Sequence, residues 1–240
     1  MERQSKRLFA TGGLLALANS LWRQLTKASI VHERTILATA PSEQQGAVPI
    51  RAKQGVRDVQ LPVDGDGEVF HRRYRVEIAD SKFTSSALIR EVGLRFNQLS
   101  PSALAEFEKV KGKAWSLEVG DEFDIQILGP WNGSVRVSEV LADSFSFVTL
   151  EGHPEAGQIR FQSAPIPGRR GALSFEIVSW ARSRDPLVAL AYGAGGKEVQ
   201  KSTWVQFLEA IVELSGGLQL AEITVETQAM PFEDREMSDG

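Results

Sequence analysis

A two-residue alternation of apolar and polar side chains, sustained from about residue 107 to residue 180, is the feature that most constrains the fold of this chain. Successive side chains of a strand point to opposite faces, so the pattern is typical of strands with one buried face. The links are short, and Asn132-Gly133 is a strong hairpin signal. The sequence therefore favours an antiparallel meander over parallel strands joined by crossover helices. The candidate strands lie around 107–111, 123–127, 135–137, 145–149, 159–161 and 173–180.

Two amphipathic helices and one further strand flank this region. Residues 70–78 alternate as a half-buried strand, with Arg72 as the one exception. A first helix begins near Thr84, and a longer one over 197–214 ends at two glycines. The apolar stripe of the longer helix consists of Trp204, Phe207, Leu208, Ile211 and Leu214. We therefore expect an α+β fold, in which a curved antiparallel sheet of about seven strands wraps around a long C-terminal helix.

The N-terminal part of the chain has a different character. Three basic residues precede an apolar stretch over 8–22, whose leucines repeat at helical spacing. A helix docked on the body is favoured, and a membrane-surface helix over 8–25 and a cleaved signal remain alternatives. Residues 35–67 are rich in Pro, Gly, Gln and Asp, which indicates an irregular connector. The expected divisions are 1–67 for helix and connector, 68–230 for the main domain, and 231–240 for an acidic tail.

Composition excludes several classes of function. The net charge of −4 and pI of about 5.6 give no basic balance of the kind nucleic-acid-binding proteins carry. The chain has no cysteine, which excludes disulfides, thiolate metal ligands and cysteine nucleophiles. Its three histidines are far apart in the sequence, so no metal site and no cofactor are expected. We expect a cytoplasmic location, with peripheral membrane contact if residues 8–25 supply it, and the oligomeric state stays open.

The order of the elements suggests a cavity. A curved sheet with one apolar face must cover that face, and the long helix is the only late apolar element able to do so. One helix does not fill the concave side of a wide sheet. The remaining space is then either a packed core or a ligand pocket.

Four segments resemble an uncharacterised bacterial family known only as domain of unknown function nineteen-ninety, within the helix-grip superfamily. That superfamily includes START-type lipid-transfer proteins, birch-pollen-allergen-like proteins and polyketide cyclases. The resemblance covers roughly residues 70–217 and implies a helix-grip fold with a small-molecule cavity, but no assigned chemistry. Gly195-Gly196 and Pro154 depart from the family pattern. The segments that carry the resemblance are GPWNG at 129–133, LEGHPEAGQI at 150–159, SWARS at 179–183 and KEVQ at 197–200.

Residues in and around this expected cavity are the candidate ligand contacts. Core packing is the favoured interpretation for Trp204, while Trp131 is equally suited to capping a pocket or packing over an edge. Tyr192 and Gln200 are candidate polar anchors, for which a surface role is equally reasonable. The complete set of ligand-binding candidates is Trp131, Phe147, His153, Phe161, Phe175, Trp180, Tyr192, Gln200 and Trp204.

Catalytic function has weaker support. His153 and Glu155 lie in one loop, and Arg182 follows the last long strand, so an acid–base group at a cavity mouth is conceivable. We favour a loop whose His and Glu bond the local backbone. Glu176 falls in the polar register of its strand and is expected to face solvent. The favoured function is binding of a hydrophobic or lipid-like small molecule; the alternatives are a cyclase or hydrolase, and a membrane-surface structural or interaction protein.

Overall fold

The structure is a computed structural model, which describes residues 31–37, 58–127, 132–191 and 196–232. Among these residues, no helix is long and apolar enough to cross a membrane. The candidate helix over 8–25, most of the acidic tail, and the candidates Trp131 and Tyr192 lie outside the described residues. The proposed division of the chain into three parts stays a prediction.

The described chain forms ten strands and four α-helices. The strands are β1 (Val31–Leu37), β2 (Asp66–Ala79), β3 (Ala105–Lys111), β4 (Glu122–Ile127), β5 (Asn132–Val140), β6 (Ser144–Thr149), β7 (Glu155–Pro165), β8 (Leu173–Ser183), β9 (Leu218–Gln219) and β10 (Ile223–Met230). The helices are α1 (Ser85–Leu94), α2 (Phe96–Leu99), α3 (Pro186–Ala191) and α4 (Lys197–Ser215).

The sheet has the order β1-β10-β2-β8-β7-β6-β5-β4-β3, and the short β9 pairs with the end of β2. From β2 to β3 all neighbours are antiparallel, as the alternation predicted. The α+β class is therefore confirmed. The count of about seven strands was too low, and α4 is not the last element, because β10 follows it and pairs between β1 and β2.

The expected connector over 35–67 contains more regular structure than its composition suggested. Strand β1 includes residues 35–37 and pairs parallel to β10, and β2 begins at Asp66. Further along, Val59 forms an isolated bridge with Leu150. The backbone N–H of Gln60 donates to the Thr149 carbonyl at 2.8 Å. These contacts join the segment before β2 to the link between β6 and β7.

Aromatic rings occupy the space between the inner face of the sheet and α4. The ring centroid of Phe96 on α2 lies 4.9–6.3 Å from those of six other phenylalanines. On α4, Trp204 and Phe207 have centroids 5.6 and 5.8 Å from that of Phe161. The helical stripe predicted from the sequence is thus buried against the sheet. This aromatic cluster consists of Phe96, Phe107, Phe123, Phe145, Phe147, Phe161, Phe207 and Trp204.

We expect Phe96→Ala to lower the free energy of unfolding by about 3–5 kcal/mol, because it removes the ring at the centre of this cluster. Urea denaturation of the purified chain would measure the change. Val119→Ala, at an exposed position, serves as the control and should change stability by less than about 0.5 kcal/mol. Equal unfolding midpoints for Phe96→Ala and the unsubstituted chain would contradict the packing described here.

Candidate functional site

An arginine interrupts the apolar inner face of the sheet. On β2, Tyr74, Val76 and Ile78 point inward and are buried, and Arg72 shares their register. Its side chain is only 5% exposed. Arg72 is the residue that broke the polar–apolar alternation in the sequence. The break therefore marks a charge that points toward the core side of the sheet.

Glu155 at the start of β7 pairs with this arginine. Arg72 Nη1 lies 3.2 Å from Glu155 Oε1, and Gln200 Nε2 donates to Glu155 Oε2 at 3.0 Å. Strand β8 lies between the two partners, and its inward residue there is Ala181, whose methyl group leaves room for the arginine side chain. Because Gln200 lies in the first turn of α4, the three residues connect two strands to the beginning of that helix.

Ser179 on β8 is the cross-strand neighbour of Arg72 on one side and of Ile159 on the other. The residue is 4% exposed, and its Oγ has no hydrogen-bond partner among the described residues. Buried hydroxyl groups are normally paired, so an unpaired one is uncommon and marks a position of interest. We call this group of residues the polar end of the inner face. It consists of Arg72, Tyr74, Glu155, Ser179 and Gln200.

An aromatic ring lies beside the polar end. The Arg72 guanidinium carbon and Lys197 Nζ lie 4.8 and 5.5 Å from the ring centroid of Phe70, within the range of cation–π contact. Trp204, which follows Gln200 by one turn of α4, is also buried. Burial raises the pKa of Tyr74 well above its ordinary value, so its phenol is neutral at physiological pH. The site thus combines hydrogen-bond donors with apolar surface.

His153 is buried beside this site, and its ring is hydrogen-bonded to the backbone. Its Nδ1 lies 3.0 Å from the Glu155 backbone N–H, which donates to it. Burial lowers the pKa of His153, which favours the neutral ring. A Cβ at Gly133 would clash with this ring. The Asn132-Gly133 pair was expected to form a hairpin turn, but both residues begin β5, and Gly133 is needed for its closeness to His153.

The side chain of Gln60 also hydrogen-bonds the link between β6 and β7. Its Nε2 donates to the carbonyls of His153 and Glu155 at 2.8 and 2.9 Å. Its Oε1 accepts from the Gly152 N–H at 3.1 Å. The side chain amide thereby positions the residue that pairs with Arg72. Sequence reasoning missed Gln60 because it lies in a segment without periodicity.

The three catalytic candidates do not face a common cavity. Arg182 is the cross-strand partner of Ala156, so it lies on the outer face, opposite to Glu155. Its guanidinium donates to the carbonyls of Gly67 and Pro62 at 2.8 and 2.9 Å. His153 bonds the backbone of Glu155, as the loop interpretation expected. Arg182 therefore does not share a face with Glu155, and a catalytic role for the three side chains stays a prediction.

Apart from His153 in the link between β6 and β7, the described ligand-binding candidates fall into three places. Phe147, Phe161, Phe175 and Trp204 are buried in the hydrophobic core, and Gln200 belongs to the polar end. Trp180 lies on the outer face, where its ring stacks on His71 with centroids 4.8 Å apart. Trp180 therefore does not line the space between sheet and α4. Whether any of these residues binds a ligand stays a prediction.

The expected exposure of Glu176 to solvent was wrong. It lies in the outward register, as predicted, but it is only 6% exposed rather than open to solvent. Arg73 Nη2 and Arg75 Nη1 lie 3.0 and 3.2 Å from its carboxylate oxygens, and Gln162 Nε2 donates to it at 3.0 Å. The long side chains of its neighbours cover the carboxylate, which local sequence alternation does not reveal.

We expect Ser179→Ala to leave stability within about 0.5 kcal/mol of the original chain, because no hydrogen bond is lost. Ser163→Ala is the matched substitution on the neighbouring strand. Its hydroxyl donates to the Ser174 carbonyl at 3.0 Å, so its loss should destabilise by about 0.5–1.5 kcal/mol. Urea denaturation of both variants would measure the difference. A larger loss for Ser179→Ala would mean that its hydroxyl is paired.

His153 should make stability depend on pH. Its folded-state pKa is below the ordinary value of 6.5, so the unfolded chain binds the proton more readily. The free energy of unfolding should therefore fall as pH drops below about 6.5. His153→Asn keeps an acceptor near the Nδ1 position and does not titrate there. Denaturation from about pH 5 to about pH 8 should show a weaker pH slope for this variant. Equal slopes would contradict a buried neutral ring.

Solved structures with a similar arrangement are distant in sequence. A conserved protein from Geobacillus kaustophilus is 11% identical, with a TM-score of 0.42 over 62% of this chain and 98% of that one. Norcoclaurine synthase from Thalictrum flavum, in complex with dopamine and hydroxybenzaldehyde, is 14% identical, with a TM-score of 0.45 over 64% and 88%. The di-domain ARO/CYC StfQ of the steffimycin biosynthetic pathway is 10% identical, with a TM-score of 0.46 over 65% and 52%.

No curated protein matches the chain. One family profile does match, and it covers residues 68–210, which is more than half of the chain. The matched range contains the four segments that carried the sequence resemblance, so that recognition is confirmed. The chain belongs to the family described as a domain of unknown function, DUF1990.

Proposed function

We propose that this domain binds a compact small molecule with an apolar body and an anionic or acceptor group. The binding place is the polar end of the inner face, between the sheet and the first turns of α4. One observation carries the proposal: Arg72 is buried on a face that is otherwise built for apolar packing. Arginine suits this task because its planar group donates several hydrogen bonds to a carboxylate or similar acceptor.

The energetics of burial support a functional reason for this arginine. A buried ion pair of this kind is often no more stable than well-packed apolar residues of the same volume. Arg72 with Glu155 is therefore poorly explained by stability alone. Ser179 adds a second cost at the neighbouring position, since no described residue pairs with its buried hydroxyl. A bound acceptor group would give the Ser179 hydroxyl a partner.

The types of group present indicate what the ligand carries. The side chains of Arg72, Gln200 and Ser179 are of donor type, and Lys197 adds a second cation beside Phe70. Glu155 is the one anionic member of the polar end, and it already accepts from Arg72 and Gln200. A ligand with an acceptor group is thus favoured over a cation. Phe70, which contacts two of these cations, supplies apolar contact for the remainder of the molecule.

The aromatic cluster restricts the size of the ligand. Phe96, Phe161 and Phe207 occupy the deeper space, so a long lipid chain lying along the whole inner face does not fit this packing. The original expectation of a lipid-like ligand is thereby narrowed to a smaller molecule at one end. No separate catalytic function is proposed.

Two dyes that differ by one group test this proposal. Anilinonaphthalene sulfonate and phenylnaphthylamine share an apolar body, and only the first carries an anionic group. The chain should bind the sulfonate dye about tenfold more tightly, as measured by fluorescence titration, because of its charge-assisted bonds with Arg72. Arg72→Met/Glu155→Gln should abolish the difference between the dyes, and Arg72→Lys should retain part of it.

A matched ion pair on the same strand provides the control. Arg75 and Glu77 lie 2.9 Å apart on the outer face of β2. Arg75→Met/Glu77→Gln removes this ion pair and the contact of Arg75 with Glu176, and it leaves the inner face unchanged. This variant should keep the preference for the sulfonate dye. Near-ultraviolet circular dichroism would confirm that all variants are folded. Binding of neither dye, or equal loss of the preference in both double variants, would refute the proposal.

A further inference from the structure

Three hairpins place their turns at one end of the sheet. The strands β3 to β8 are sequential neighbours and antiparallel, so the links β3–β4, β5–β6 and β7–β8 all lie at the same end. The links β4–β5 and β6–β7 lie at the opposite end, beside the start of β7 and Glu155. We call the first group, with the strand residues that adjoin it, the hairpin end. It is therefore remote from the polar end of the inner face.

Exposed apolar side chains concentrate at the hairpin end. Trp115 in the β3–β4 link is 77% exposed, which is high for the largest apolar side chain. Leu141 in the β5–β6 link is 51% exposed. Five of the nine exposed large apolar side chains among the described residues belong to these two hairpins. The five are Val110, Trp115, Val119, Val140 and Leu141.

An adjacent pair of exposed arginines lies at the hairpin end. Arg169 and Arg170 are adjacent and exposed in the β7–β8 link, and no salt bridge connects either of them to another described residue. Lys111 and Lys113 are also exposed, although Glu122 and Glu118 pair with them. The formal charges of the links and their adjoining residues balance, because Glu118, Asp121, Glu122 and Asp143 offset the two lysines and two arginines. The arginine pair is therefore the cationic group at this end that no salt bridge to a described residue offsets.

We propose that the hairpin end docks on the surface of an anionic lipid bilayer. Tryptophan is favoured at the membrane interface, where its ring lies among headgroups, and arginine pairs with anionic phosphates. The apolar groups belong to separate turns and do not form one continuous surface. A fluid bilayer accepts such separated side chains, whereas a folded protein partner would have to match the shape between them. The residues of the hairpin end are not those of the stretch 8–25, for which the sequence suggested membrane contact.

Vesicle sedimentation with the full chain tests the proposal. Vesicles of phosphatidylcholine containing roughly 30% phosphatidylglycerol provide the anionic surface, and pure phosphatidylcholine is the comparison. The chain should bind the anionic vesicles more tightly. Trp115→Ser/Leu141→Ser should weaken that binding about tenfold, because two exposed apolar groups no longer enter the interface. Arg169→Gln/Arg170→Gln should weaken it by about tenfold or more and remove most of its salt dependence.

Val63→Ser/Leu187→Ser is the matched control. These side chains are 61% and 72% exposed, and Leu187 follows the far end of β8. This control should bind like the original chain. A second measurement uses brominated lipids, which should quench tryptophan emission in the original chain and much less in Trp115→Phe. The proposal is wrong if no vesicle is bound, if the hairpin variants bind normally, or if the control loses binding equally. A normal result for the arginine variant alone would refute the anionic-lipid assignment.

Discussion

The packing of aromatic rings between the sheet and α4 determines the rest of this structure. Phe96 contacts rings from four strands and from α4, so one residue of a single-turn helix holds both layers together. Interiors are packed to crystal-like density, and such a cluster leaves little freedom for the helix to shift. The consequence for function is spatial. The ligand that we propose would therefore lie at the margin of the inner face, where the rings give way to Arg72, Ser179 and Glu155.

The sequence predicted the elements whose faces differ strongly in polarity. Strand β4 and the stripe of α4 follow their periodicities, because one side is buried by the core and the other is not. Strand β1 was missed, since His32, Glu33 and Arg34 give it no apolar alternation. Its place depends on β10, which lies far along the chain and pairs with it in parallel. Pairings of that range leave no local signal.

The candidate site was only partly visible before the structure. Arg72 gave a signal, because it interrupted an alternating strand, although its partner could not be named from one sequence. Ser179 gave none, since β8 is buried on both faces for most of its length and polarity does not distinguish inward from outward there. Gly133 was interpreted as a turn residue from its neighbour Asn132. The actual requirement is contact with His153, which is twenty residues away and arises only after folding.

The residue range that the family profile matches does not include the whole sheet. Strand β10 lies outside this range. The profile ends at residue 210, inside α4, whereas β10 covers Ile223–Met230. A fragment cut to the recognised range would leave β2 as a bare edge and would lack Gln60 as well. Unprotected edges of this kind invite pairing between molecules. Recombinant versions of this domain are therefore best started well before β2 and extended past Met230, because shorter ones would tend to aggregate through the exposed edge of β2.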